Sequence, residues 1–187
     1  MACILESWKA SNEPVLAYRP ASVERAELVA ELGRQHEQRV DIPLVIGGKR
    51  IYTVDREQVV CPHEHGHVLA TLNQATALEA QQAADAAVAA QRDWARWTLE
   101  ERSAVFLKAA DLLAGPWRAR LNAATMLGQS KSVQQAEIDS ACELIDFLRF
   151  NVQFAQEIAQ QQPLSSLGVV NYTDHRPLEG FVYAITP

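Results

Sequence analysis

The chain has little of several things on which whole classes of protein depend. Glycine occurs 8 times in 187 residues, which disfavours an architecture built from many tight β turns. Cysteine occurs three times, at Cys3, Cys61 and Cys142, an odd number at wide, unpatterned spacing. This argues against a disulfide framework and for a reducing compartment. Basic charge is in deficit: 17 Lys and Arg face 23 Asp and Glu, a net charge of −6 that five protonated histidines would bring only to −1. Nonspecific binders of nucleic acid or of anionic membrane need the opposite balance, so neither partner is expected. No apolar run approaches the ~18 residues of a membrane span. The opening MACILESWKASNEP lacks the basic and apolar regions of a secretory signal and is too poor in arginine for a transit peptide. A cytoplasmic location is the expectation.

What is present is globular in character. Hydrophobic residues make up 48% and charged residues 21%, enough for one domain with a real core. Residues 1–20 show no consistent period and read as an extended arm. Ser22 then stands before a helical stretch in which Val23, Ala26, Val29, Ala30 and Gly33 share a face. Strand-like runs follow at 43–46, 49–54, 58–61 and 67–72, with Gly47-Gly48 supplying a hairpin turn. Together they predict a small antiparallel layer.

From Thr76 the pattern turns helical. Thr76 with Glu79, Thr98 with Glu101 and Ser132 with Gln135 each match a capping box, in which side chain and backbone satisfy one another at a helix start. The predicted helices run to about Trp94, to Gly115-Pro116, from about Trp117 to Gly128, and from Ser132 to about Gln161. Past Pro163 the texture is strand and loop, and Phe181–Ile185 reads as a buried strand of a parallel sheet.

Two groups of residues invite chemistry. Cys61, His63, His65 and His67 would share a face of an extended strand and offer one sulfur and three imidazoles to zinc. Pro62 and Gly66 break strand regularity, and ligands two apart on a strand diverge, so a solvated turn between strands is the expectation and no metal site is assigned. On a helical wheel Glu137 falls in the same apolar arc as Ala141, Leu144, Leu148, Val152, Ala155 and Ala159, with Cys142 at its edge as a packing residue and Asn151 as a core amide. Such a carboxylate is paired, hydrogen-bonded or aimed into a pocket, or else reaches water from the first turn, where the helix dipole favours it. No dinucleotide fingerprint, Walker loop, HExxH or nucleophile elbow appears.

Three segments carry a resemblance: Phe106–Lys131 (FLKAADLLAGPWRARLNAATMLGQSK), Gln134–Asn151 (QQAEIDSACELIDFLRFN) and Arg176–Pro187 (RPLEGFVYAITP). With Asn12–Tyr18 (NEPVLAY) and Ile42–Lys49 (IPLVIGGK), the chain resembles the aldehyde dehydrogenase superfamily. Within it, the similarity is to the branch of L-glutamate γ-semialdehyde (1-pyrroline-5-carboxylate) dehydrogenases of proline catabolism. The resemblance implies an α/β fold, of which this chain is the N-terminal portion: mainly helical, with a small antiparallel strand layer and the first Rossmann-like strand at its C-terminus. It divides the chain into an arm and helix (1–41), the N-terminal part of an NAD-binding domain (42–162), the first part of an oligomerisation arm (163–179) and a truncated first strand of the nucleotide-binding sheet (180–187). It implies NAD as cofactor, touched by Ile185, Thr186 and Pro187, and a contact of Glu137 with the substrate's α-ammonium group. It further implies a homo-oligomer when complete. The family's catalytic Cys and general-base Glu fall outside this chain, so the chain alone is expected to be inactive. The competing reading is a non-catalytic helical module that associates with a full-length dehydrogenase.

Overall fold

Ser22 ends an extended arm and opens the first helix, its hydroxyl accepting the Arg25 N–H as N-cap. The computed structural model describes residues 8–186. Helix α1 (Val23–Glu37) buries Leu28 and packs Leu32 beside it, against Tyr18 and Ala123. The face predicted from Val23 and Val29 is instead turned outward, at 71% and 59% exposure. The larger leucines, four apart, claim the interior.

Five short strands follow: β1 (Val40–Ile42), β2 (Leu44–Ile46), β3 (Lys49–Ile51), β4 (Arg56–Cys61) and β5 (Glu64–Asn73). β2 and β3 form the hairpin that Gly47-Gly48 requires, both glycines at positive φ (55° and 76°). The strands make two small sheets, where one antiparallel layer was predicted. β4 pairs antiparallel with β5, but β1 joins the other edge of β5 in parallel, Val40 opposite Ala70. Asn73, almost fully buried, ties this layer together. Its amide donates to Asp41 (2.7 Å) and to the Ile42 carbonyl (2.9 Å), while its Oδ1 accepts the Thr53 N–H (2.8 Å).

The helical half is set by its caps. α2 (Ala77–Trp94) and α3 (Leu99–Ala114) begin at the capping boxes of Thr76 with Glu79 and Thr98 with Glu101. Gly115 closes α3 by donating to the Asp111 carbonyl. α4 (Arg118–Gln129) runs through Gly128 and stops at Ser130, which adopts the left-handed conformation. α5 (Val133–Ala136) starts at the Ser132–Gln135 box, passes into a π-helical segment (Glu137–Cys142) and continues as α6 (Glu143–Gln160). A π turn carries more residues than an α turn, so it rotates the face that follows. Ile145 therefore lies in the core with Ala110 and Ala141, whereas Leu144, placed in the apolar arc by a uniform wheel, is 41% exposed. Asn151, expected as a core amide, is also exposed.

Residues 161–186 contain a single isolated bridge, between Ser166 and Val169. The run expected to be a buried strand, Phe181–Ile185, is in neither helix nor strand, and Ile185 is 81% exposed. A strand exists only by pairing, and no neighbouring strand reaches these residues among those described. No helix among the described residues is long and apolar enough to cross a membrane.

Candidate functional site

Helix α4 carries Arg118, Asn122 and Thr125, spaced four and three apart, on a side that is buried. This polar stripe faces the π-helical segment. Thr125 accepts from the Ser140 hydroxyl (2.7 Å), Asn122 Nδ2 donates to Glu137 (2.8 Å), and Arg118 donates to both Glu137 oxygens, through Nε (3.3 Å) and Nη2. Glu137 is fully buried. The N-terminal arm closes the site from the other side: the Leu16 N–H donates to Oε1 and the Tyr18 hydroxyl to Oε2, each at 2.8 Å. One carboxylate thus receives backbone, phenol, amide and guanidinium donors from two separated stretches of chain.

Arg118 extends the cluster. Its Nη2 also donates to the Pro14 carbonyl (2.8 Å), and its Nη1 pairs with Glu13, which Arg149 of α6 binds in turn (2.6 Å). Asp146 adds a further clamp, accepting from the Asn12 amide and the Glu13 N–H. These ions and hydrogen bonds hold the arm beside the apolar packing of Leu16 and Tyr18.

The protonation states follow from these contacts. Burial alone pushes the Glu137 carboxyl up, but the Arg118, Leu16, Tyr18 and Asn122 donors outweigh it and hold the group below the usual carboxylate range. Burial and the adjacent Glu137 anion raise the Tyr18 phenol from 10.0 to about 12. Cys142 Sγ sits 3.5 Å from Arg118 Nη2, yet burial and Glu137 push its thiol up to about 11. It stays a thiol at neutral pH and is not an activated nucleophile.

Glu137 was expected to meet a substrate ammonium group. Its carboxylate accepts from Leu16, Tyr18, Asn122 and Arg118, and Arg118 supplies a positive charge beside it. Sequence reasoning missed Arg118, Asn122 and Tyr18, although the spacing of Arg118, Asn122 and Thr125 along α4 was a legible signal.

The histidine-rich run turns at Pro62-His63 alone, while Gly66, expected to break the strand, lies within β5 together with His65 and His67. Cys61 ends β4, Pro62 and His63 turn, and β5 begins at Glu64. Cys61 Sγ lies 3.3 and 3.5 Å from the two ring nitrogens of His63, whose Nδ1 is 2.8 Å from Ser130 Oγ. His65 is exposed. Ile185 and Thr186 are exposed and lie in neither helix nor strand, and Pro187 lies outside the described residues. Among the described residues no strand end stands beside Ile185 and Thr186.

Residues 52–187 match the family model described as "Aldehyde dehydrogenase family". The chain belongs to the aldehyde dehydrogenase family. A crystal structure of the Delta-pyrroline-5-carboxylate dehydrogenase from Mycobacterium tuberculosis is 54% identical, with a TM-score of 0.96, over 100% of this chain and 35% of that one; the same enzyme has been solved bound with NAD. The 1-pyrroline-5-carboxylate dehydrogenase of Thermus thermophilus, solved as an arginine-to-alanine mutant, is 29% identical with a TM-score of 0.78, over 89% of this chain and 31% of that one. The mitochondrial Delta-1-pyrroline-5-carboxylate dehydrogenase of Mus musculus is 45% identical over 97% of this chain and 32% of its own length. This aldehyde dehydrogenase chain therefore spans about a third of the relatives it matches, and its fold corresponds to an N-terminal portion of theirs.

Proposed function

We propose that this chain is the N-terminal part of an NAD-dependent dehydrogenase that oxidises L-glutamate γ-semialdehyde to L-glutamate in proline catabolism. The observation that carries this reading is the 54% identity and TM-score of 0.96 to a Delta-pyrroline-5-carboxylate dehydrogenase across the whole chain. Oxidation of the aldehyde to a carboxylate removes two electrons, for which NAD is the acceptor. By the resemblance Ile185, Thr186 and Pro187 would meet NAD beside further strands of the sheet; what the described residues complete among themselves is scaffold. The Glu137 cluster positions the arm against α4 and α6, and the polar clamp fixes the relative placement of the helices.

Neither described cysteine suits the role of nucleophile. Cys61 is fully buried, and Cys142 is held as a thiol. Residues 163–179, with Leu164, Leu167 and Val170 at 93%, 105% and 82% exposure, form the arm that another part of the enzyme or another subunit covers, in keeping with a homo-oligomer. Both described cysteines are free, which suits a reducing compartment such as the cytoplasm.

The test compares the 187-residue chain with the complete protein in an assay of NADH formation from the semialdehyde. The complete protein is expected to turn over and the chain alone to form no NADH. Turnover by the chain alone would refute the scaffold assignment. Absence of turnover by the complete protein would refute the substrate.

A further inference from the structure

The fold brings together three ligating side chains that lie far apart in sequence. His36, in the last turn of α1, stacks on His67 of β5 with ring centroids 3.9 Å apart and planes within 5° of parallel. Glu64, at the start of β5, places its carboxylate 3.3 Å from His36 Nε2. One ligand atom from each residue lies within 4.8 Å of the other two. His67 Nε2 is buried and has no hydrogen-bond partner among the described residues, while His36 and Glu64 are solvent-accessible.

We propose that His36, Glu64 and His67 form a binding site for a divalent cation of the zinc class. Two imidazoles and one carboxylate are a donor set that suits Zn²⁺ and leaves a fourth position open to water. The distances are close to what the ion needs. Ligand atoms ~2.0–2.2 Å from a tetrahedral Zn²⁺ lie ~3.3–3.6 Å from one another. The His36–Glu64 pair already meets this at 3.3 Å, and the remaining separations close by at most about 1.5 Å. Parallel rings also hold their lone pairs parallel, so coordination requires one ring to tilt out of the stack. His36, on the exposed side, has room to do so.

The cation supplies what His67 Nε2 lacks, a partner for a buried nitrogen. It also joins the end of α1 to the β4–β5 hairpin. The chain's net charge of −6 favours accumulation of cations at its surface. Cys61 and His63 belong to a separate contact with Ser130 and are not ligands of this site.

The test is calorimetric titration of the chelator-stripped 187-residue chain with ZnCl₂. Circular dichroism checks the fold of each variant, and thermal melting is measured with and without metal. One Zn²⁺ per chain is expected. Removing a direct ligand by His36→Ala or His67→Ala should weaken binding by at least the ~10–100-fold that loss of an outer-shell partner costs. Cys61→Ser should leave it unchanged. Zn²⁺ at 100 times its Kd should raise Tm by about 5–10 °C in the wild type and not in His36→Ala. His36 and Glu64 are exposed, so His36→Ala and Glu64→Gln read the site without threatening the core. No stoichiometric binding to the wild-type chain would overturn the proposal. So would binding that survives His36→Ala and is lost in Cys61→Ser, which would move the ion to the thiol.

Discussion

Replacing Arg118 with Met keeps most of the aliphatic stem and removes the guanidinium that faces Glu137, Glu13 and the Pro14 carbonyl. Glu137 then remains fully buried with its charge opposed only by neutral donors. Breaking one side of a buried ion pair costs about 3–5 kcal/mol. The Leu16, Tyr18 and Asn122 donors pull the value toward the lower end, while the orphaned Pro14 carbonyl and the half-paired Glu13 pull it back. For a chain of this length that is a fall in Tm of about 6–20 °C. Urea denaturation of Arg118→Met, Glu137→Gln and the double variant closes a thermodynamic cycle. The double variant should be less destabilised than the sum of the singles by about 2 kcal/mol, because it removes the stranded charge.

The pH dependence supplies a second reading of the same variant. In the wild type the folded pKa of Glu137 is depressed. Its contribution is therefore present above the unfolded carboxylate value and is lost as pH falls through the folded one. In Arg118→Met, burial is no longer outweighed and the folded pKa rises. The contribution is then present below the unfolded value and lost as pH increases, so the deficit of the variant should narrow between pH 7 and about 4.5. Additive cycle energies, or a deficit identical at both pH values, would refute the account of Glu137 as a charge held by Arg118.

The remaining predictions bear on other links in the fold. In the complete enzyme, Glu137→Gln should alter KM for the semialdehyde and for a simple aliphatic aldehyde by the same factor; a selective rise for the semialdehyde would restore the ammonium contact. On the alkaline side, Tyr18 and Cys142 have raised folded pKa values, about 12 and about 11. Their contribution is thus complete below their unfolded values and lost as pH climbs through the folded ones, so Tm should drop between about pH 9 and 12 and drop less in Tyr18→Phe. Asn73→Leu removes the side-chain bonds to the Ile42 carbonyl, the Thr53 N–H and Asp41 and should cost about 2–5 kcal/mol by urea denaturation. Thr98→Ala removes one half of a capping box and should cost only about 1 kcal/mol.

The contrast between those last two values marks what was legible in the sequence. A capping box is complete within four residues, so Thr76, Thr98 and Ser132 each announced the helix that follows them. The burial of Glu137 was legible too, because a helical wheel needs only its own segment. Its partners were not: Leu16 and Tyr18 come from more than a hundred residues upstream, and Arg118 and Asn122 from the preceding helix. Of the alternatives the wheel left open, paired and hydrogen-bonded is the one the structure shows. The same wheel misplaced Leu144, since a uniform 100° step has no room for the π turn at Glu137–Cys142. That turn lies where the segment presents both Glu137 and Cys142 to Arg118, so the irregularity and the buried cluster are one feature. At the C-terminus the failure has the opposite cause. Phe181–Ile185 has the composition of a buried strand and forms none, because composition states what a segment would bury and pairing depends on what lies beside it. Exposed apolar residues there, and in the arm from Leu164 to Tyr172, are thus written for neighbours that the described residues do not supply. The polar cluster around Glu137 is the part of the design that this chain completes on its own.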